Sequence, residues 1–115
     1  MELVLGARQD GTFGPVIMIG LGGTLVEVLQ DVVFGLAPLD DSEALRLIDR
    51  LRCRELLDGY RGMPAVNRQE LAEVLTKLGK LIDEHPEIQE LDLNPVTVTP
   101  QGLQLIDIRA VKQEK

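Results

Sequence analysis

Residues 90–109, ELDLNPVTVTPQGLQLIDIR, constrain this chain more than any other stretch. Two runs rich in alternating residues flank Thr99-Pro-Gln-Gly102, where proline and glycine take the second and fourth places favoured in a type I turn, so a hairpin is predicted. In its first strand Glu90, Asp92 and Asn94 share one face and Leu91 and Leu93 the other, because successive strand side chains point to opposite sides. The leucine face needs an apolar layer over it; the polar face does not. Beyond Asn94-Pro95 the apolar positions become Val96 and Val98, and a parity change at a proline predicts a bulge or kink.

Pairing Thr99 with Gly102 sets a register that brings Asn94 opposite Asp107 on the polar face, with Arg109 two positions further along the same face. A bulge at Pro95 or a longer loop shifts this pairing by one residue. On the register as drawn, an amide oxygen and a carboxylate rise from Cβ atoms about 5 Å apart, a separation that lets both reach one ion. Magnesium suits such a pair, since it takes oxygen ligands and commonly uses one or two protein groups while phosphates and water complete the octahedron. Glu90 and Asp92 add negative field, and Arg109 is placed to meet a phosphate or steady a carboxylate. A plainer reading stands beside this one, in which acids on a solvent-facing strand are simply hydrated. A calcium loop is disfavoured, because the following glycine and the terminal bidentate glutamate of that motif are missing.

Upstream, Glu2–Arg8 and Pro15–Gly20 are short apolar runs joined by Asp10-Gly-Thr-Phe-Gly14, which reads as a second hairpin. The β-branched residues of Thr24–Leu29 and Asp31–Pro38 favour extended structure. Asp40 and Glu43 have capping-box spacing and open a helix whose buried stripe is expected at Ala44, Leu45, Ile48 and Leu51. Asp58–Pro64 interrupts the pattern with two glycines and a proline. Asn67 and Glu70 repeat the capping arrangement before a stripe of Leu71, Val74, Leu75, Leu78, Leu81 and Ile82, and this helix ends before Pro86. Strands, two helices, then strands give an α+β fold, an antiparallel or mixed sheet with two main helices packed on one face, leaving the other face for a ligand.

The 115 residues suit a single domain, residues 1–115, with a core of its own. No apolar run approaches the length of a membrane helix and no secretory signal pattern opens the chain, so a cytoplasmic protein with no membrane partner is expected. Cys53 is the only cysteine, which excludes an intrachain disulfide and a multi-cysteine zinc site. Asp and Glu number 19 against 12 Lys and Arg, for a net charge of -7, with the basic residues scattered. Together with 3% aromatic residues this argues against a nucleic-acid partner, which needs concentrated positive charge or stacking platforms. An anionic ligand would need local amides, cations or a metal.

Gly20-Leu-Gly-Gly23 could present such amides, but it lacks the Lys-Ser/Thr of a phosphate loop and the spacing of a dinucleotide fingerprint, and a tight turn or bulge explains it equally well. His85, the single histidine, permits neither a nucleophilic triad nor a histidine-based metal set.

Three segments in order, GPVIMIGLGG at 14–23 followed by Val26-Glu-Val28, LLDGYRG at 56–62, and ELDLNP at 90–95 with Ile106-Asp-Ile-Arg109, carry a family likeness over nearly the whole chain. The chain resembles the C-terminal half of the ATP-grasp domain of the ADP-forming (NDP-forming) acyl-CoA synthetases, relatives of the succinyl-CoA synthetase β subunit. The resemblance implies a domain that binds ATP with magnesium, in a ligase that converts acid, CoA and ATP to acyl-CoA, ADP and phosphate through an acyl phosphate and a phosphohistidine relay. It also implies that Asn94 and Asp107 hold magnesium, that Asp92 belongs to the phosphate-facing surface, and that Gly22 and Gly23 lie in a loop beside the nucleotide. The family's preceding ATP-grasp half, with its phosphate-binding lysine, is expected as a separate partner, as are its CoA-binding and phosphohistidine domains. Gly11 stands where the family often has proline, and His85 does not match the phosphohistidine. The chain therefore reads as a fragment of a larger synthetase, or a naturally truncated relative of one, that is expected to be inactive alone. The alternative is a non-catalytic regulatory or interaction module that keeps the fold, as in synthetase-like regions fused to acetyltransferases, and that self-associates through the surface its missing half would cover.

Overall fold

The computed structural model describes residues 1–22 and 31–112. The extended structure expected for Thr24–Leu29, and Gly23, lie outside the described residues. Strands β1 (Glu2–Asp10) and β2 (Gly14–Leu21) form the first hairpin, and β3 (Val32–Leu36) pairs with β2. Helix α1 (Asp41–Asp49), a 3-10 helix at Arg54–Asp58 and helix α2 (Arg68–Glu84) follow, and β4 (Ile88–Thr99), β5 (Gly102–Leu105) and β6 (Ile108–Lys112) close the chain. The sheet runs β3-β2-β1-β4-β5 with β6 also on β4, and every pairing among the described residues is antiparallel. This is the α+β architecture expected, with the choice between antiparallel and mixed resolved.

Local chemistry sets the element ends. In the β1–β2 turn the Asp10 carboxylate accepts the Thr12 and Phe13 N–H groups at 2.8 and 2.9 Å, and Gly14 takes a φ of 76°, where a Cβ would be strained. At α1 the capping box is complete: Asp40 Oδ1 accepts the Glu43 N–H at 2.7 Å and Glu43 Oε1 accepts the Asp40 N–H at 3.2 Å. At α2 only half of the expected box forms. Asn67 Oδ1 accepts the Glu70 N–H at 3.0 Å, but the Glu70 carboxylate turns away and accepts the Leu103 N–H at 2.7 Å.

The core lies between the helices and one face of the sheet. It takes Leu3, Leu5 and Ala7 from β1, Ile17, Ile19 and Leu21 from β2, and Leu91, Leu93, Val96 and Val98 from β4. The α1 stripe differs from expectation by one residue, with Leu47 buried and Leu45 only half-buried, and Leu51 packs into the core beyond the helix end. On α2, Leu71, Leu75, Leu78 and Ile82 face the sheet as expected, whereas Val74 is partly covered and Leu81 is 40% exposed. The 3.6-residue repeat carries these two to the flank of the stripe, beside Leu105 of β5 and Ile108 of β6.

The parity change at Asn94-Pro95 is a bulge. Against β1, Leu5 faces Leu93 but Leu3 faces Val96, so Asn94 and Pro95 together stand opposite Val4. Leu93 and Val96 can then both point at the helices. The Asn94–Pro95 peptide is cis.

Candidate functional site

The sheet face away from the helices reads as rows across the strands. The central row is Phe34, Met18, Gly6, Asp92 and Arg109, taken in order from β3, β2, β1, β4 and β6. Beside it run Leu36, Val16, Arg8, Glu90 and Val111. On the other side Val32, Gly20 and Val4 lead to the Asn94-Pro95 bulge. Apolar side chains fill the β2–β3 half and charged ones the β4–β6 half. Between them lies a cleft of about 230 Å³. Gly6 makes its floor, and a Cβ there would sit 3.3 Å from the Leu91 carbonyl oxygen and 3.5 Å from Met18 Cε. A complete small-molecule site usually encloses roughly 300–1,000 Å³. This cleft is the size of part of one.

The expected cross-strand pair survives the bulge. Val96 faces Leu105 on one side and Leu93 faces Ile108 on the other, and between them the Ile106 N–H donates to the Pro95 carbonyl at 3.2 Å. Asn94 and Asp107 are therefore opposite each other by register, and both are exposed. The shift at Pro95 falls on the β1 side, while the β5–β6 break at Ile106-Asp107 matches the bulge on its own side. Asp92 lies directly opposite Arg109 in the next pair but one. Among the described residues neither of the two is in an ion pair.

The chemistry of this edge is that of hard oxygen donors. Asn94 offers an amide oxygen and Asp107 a carboxylate, a set that fits magnesium with phosphates and water as its other ligands. Among the described residues no group of three or more His, Cys, Asp or Glu side chains gathers as a metal site would. An ion bound here would take most of its ligands from elsewhere.

Gly20 and Gly22 have packing reasons to be glycine. A Cβ on Gly20 would lie 2.9 Å from Val32 Cγ2, and one on Gly22 would lie 3.3 Å from Glu2. Gly22 is buried, and its N–H donates to the Glu2 carbonyl at 2.8 Å. Asp31, 1% exposed, was not singled out from sequence: its two oxygens accept the Arg52 and Cys53 N–H groups, each at 2.8 Å, and its carbonyl accepts the Leu21 N–H. Gly6, Met18 and Phe34 were likewise missed. A glycine inside an apolar strand, at a position of the polar face, was the available signal for Gly6. His85 caps the C-terminus of α2 and hydrogen-bonds Glu87 at 2.9 Å.

Known proteins share this fold. Residues 1–111 match the family described as the ATP-grasp domain. The chain is 40% identical over 114 residues to acetate–CoA ligase [ADP-forming] I of Archaeoglobus fulgidus, covering 99% of this chain and 17% of that protein. With the β subunit of acetate–CoA ligase [ADP-forming] I of Pyrococcus furiosus it shares 39% identity over 110 residues, 96% of this chain and 47% of the subunit. The dinucleotide-forming acetyl-coenzyme A synthetase 1 of Ca. Korarchaeum cryptofilum, solved with coenzyme A and Mg-AMPPCP, superposes with a TM-score of 0.89 at 39% identity, covering 97% of this chain and 53% of that one. The chain thus spans about half of the matching subunit and structure, and about a sixth of the single-chain ligase. With its helix-backed antiparallel sheet and these relatives, the chain belongs to the ATP-grasp domain family, in the branch found in the ADP-forming acyl-CoA synthetases.

Proposed function

We propose that this chain supplies one wall of a Mg-ATP site in an ADP-forming acid–CoA ligase, and that it is not catalytic by itself. The observation that carries the reading is the pairing of Asn94 with Asp107 on the open, helix-free face, one row from the Gly6 cleft. The Archaeoglobus and Pyrococcus relatives are ADP-forming ligases, and the Korarchaeum acetyl-coenzyme A synthetase was solved with Mg-AMPPCP and with its phosphohistidine segment pointing towards the nucleotide binding site, which supports the same reading.

In this proposal Asn94 and Asp107 hold magnesium by their side-chain oxygens, and the ion supplies charge neutralisation of the phosphates when bound. Arg109 offers a planar set of donors to a phosphate oxygen. Asp92, across from it in register, keeps the edge acidic on the phosphate-facing surface. Gly22, held by the bond from its N–H to the Glu2 carbonyl, lies beside the nucleotide. The apolar cleft wall of Met18, Phe34 and Val16 excludes water from the nucleotide's less polar part. The other ATP-grasp half and the CoA-binding and phosphohistidine domains complete the ligase, and the setting is cytoplasmic.

Titrating Mg-ATP into the chain and into Asp107→Ala tests this. Weak binding that depends on magnesium is expected in the first and none in the second, and identical titrations would remove Asp107 from the metal site. The exposed Phe34 and Leu36, 49% and 59% accessible, also support the second reading, a non-catalytic interaction module. On that reading neither protein responds to Mg-ATP.

A further inference from the structure

The two edges of the sheet share a feature that the nucleotide reading does not use. In an antiparallel ladder the N–H and C=O groups of alternate residues point at the neighbouring strand, and those between them point away. On β3 the Leu21 N–H donates to the Asp31 carbonyl at 3.2 Å and the Ala37 N–H donates to the Pro15 carbonyl at 2.9 Å. Residues 31, 33, 35 and 37 therefore face β2, and Val32, Phe34 and Leu36 turn their backbone groups outward. On β5 the bond from the Ile106 N–H to the Pro95 carbonyl makes the even positions inward and turns Leu103 and Leu105 outward. Among the described residues β3 pairs only with β2, and β5 only with β4.

At each edge one outward group is already taken by a charged side chain from the helical layer. Arg50, the C-cap of α1, donates from Nη1 to the Phe34 carbonyl at 3.2 Å. Glu70, in the first turn of α2, accepts the Leu103 N–H at 2.7 Å. The charges match the groups: a carbonyl needs a donor and an N–H needs an acceptor. Glu70 makes this bond in place of the second half of its own capping box. At Gly102 a Cβ would lie 3.0 Å from a Glu70 oxygen, so the glycine leaves room for the carboxylate against the strand.

The strands themselves carry no other deterrent. Val32-Val-Phe-Gly-Leu36 and Gly102-Leu-Gln-Leu105 have no charge and no proline, and neither has a register shift within its ladder, whereas exposed edges are usually blunted by one of these. An uncharged β3 would also meet a second β3, antiparallel about Phe34, without opposing like charges.

We propose that Arg50 and Glu70 are edge guards, each occupying an outward backbone group of an edge strand and so preventing the sheet from being extended by a strand of a second copy of this chain. The inference is independent of the Mg-ATP reading, and its test contains no nucleotide. Sedimentation over a concentration series would compare the wild type, the double variant Arg50→Ala/Glu70→Leu, and the conservative pair Arg50→Lys/Glu70→Gln, which keeps a donor and an acceptor in place. The double variant is expected to rise in weight-average mass above the wild type, and the conservative pair to follow the wild type. Amide exchange in the wild type supplies a second readout that needs no variant to fold: the guarded Leu103 amide should exchange more slowly than the unguarded outward Leu105 amide by about fivefold, the effect of one net hydrogen bond. A folded double variant with wild-type mass throughout overturns the proposal. So does equal exchange at Leu103 and Leu105, or concentration-dependent protection of the Phe34 and Leu36 amides in the wild type, since the edge would then already be paired.

Discussion

The two faces of this sheet are built from alternate residues of the same strands and could hardly differ more. On the helix side Leu3, Leu5, Ile17, Ile19, Leu21 and Val96 are each 0% exposed, and the layer above them is filled. On the other side Gly6 leaves a floor without a side chain, and Phe34 and Leu36 remain open to solvent. The first face is complete as it stands, and the second has the composition of a surface awaiting a counterpart. Stability and proposed function are thereby assigned to opposite sides of the same backbone.

The largest expected effect breaks the filled face. Leu5→Ala should cost about 2–5 kcal/mol, because the buried side chain leaves a cavity between β1 and the helices. Phe34→Ser, on the open face, should stay within about 0.5 kcal/mol. Denaturant titrations of both variants decide the matter: similar losses would mean that the two faces are not energetically distinct. The chain's edge behaviour, read separately, would not be altered by either outcome.

A smaller loss is expected at the boundary between the two regions. Asp31→Ala strips the acceptors from two part-buried N–H groups, those of Arg52 and Cys53, and losing a hydrogen bond costs about 0.5–1.5 kcal/mol each, or about 1–3 kcal/mol for the two. Asp31→Asn keeps one acceptor oxygen and should lose less. Thermal unfolding of the pair measures the order, and an Asp31→Ala variant as stable as wild type would show that water replaces the carboxylate without cost.

The filled face was legible in sequence because its determinants are local. Strand alternation exposed Leu91 and Leu93, helical spacing exposed Leu71, Leu75, Leu78 and Ile82, and the Thr99–Gly102 turn was enough to bring Asn94 across from Asp107. The open face was legible only along β4 and β6, where one turn sets the neighbours. The Gly6 cleft was not, because Met18, Gly6 and Asp92 become adjacent only through the order β2-β1-β4, in which β1 and β4 are far apart along the chain. Asp31 was hidden for the same reason, since its partners lie in the turn after α1. Glu70 shows the converse. Its spacing from Asn67 is that of a capping box, but the same carboxylate within reach of Leu103 takes the long-range bond, and no local pattern distinguishes the two.

The smallest effect lies outside both faces, at the exposed tip of the β1–β2 hairpin. The Phe13 and Thr12 N–H groups, in that order of weight, and then Arg8 hold the Asp10 carboxyl below its ordinary value of 3.8. A lowered folded pKa means that the unfolded chain takes up the proton first. The turn's contribution is therefore present above pH 3.8 and is lost as pH falls through the lower, folded value. Asp10→Asn keeps an acceptor oxygen for the two N–H groups and removes the titration. The wild-type advantage over this variant should shrink on acidification, starting near the ordinary value of 3.8 and continuing until pH is below the folded value. Glu87 provides an internal reference, because its own N–H and then His85 lower it from an ordinary value of 4.5, so the wild-type advantage over Glu87→Gln should begin to shrink at a higher pH, near 4.5. Unfolding midpoints of the three proteins across acidic pH would resolve the order. If the Asp10→Asn difference instead grew as pH fell, the turn would be held together by the neutral acid and the assigned hydrogen bonds would have the wrong sign.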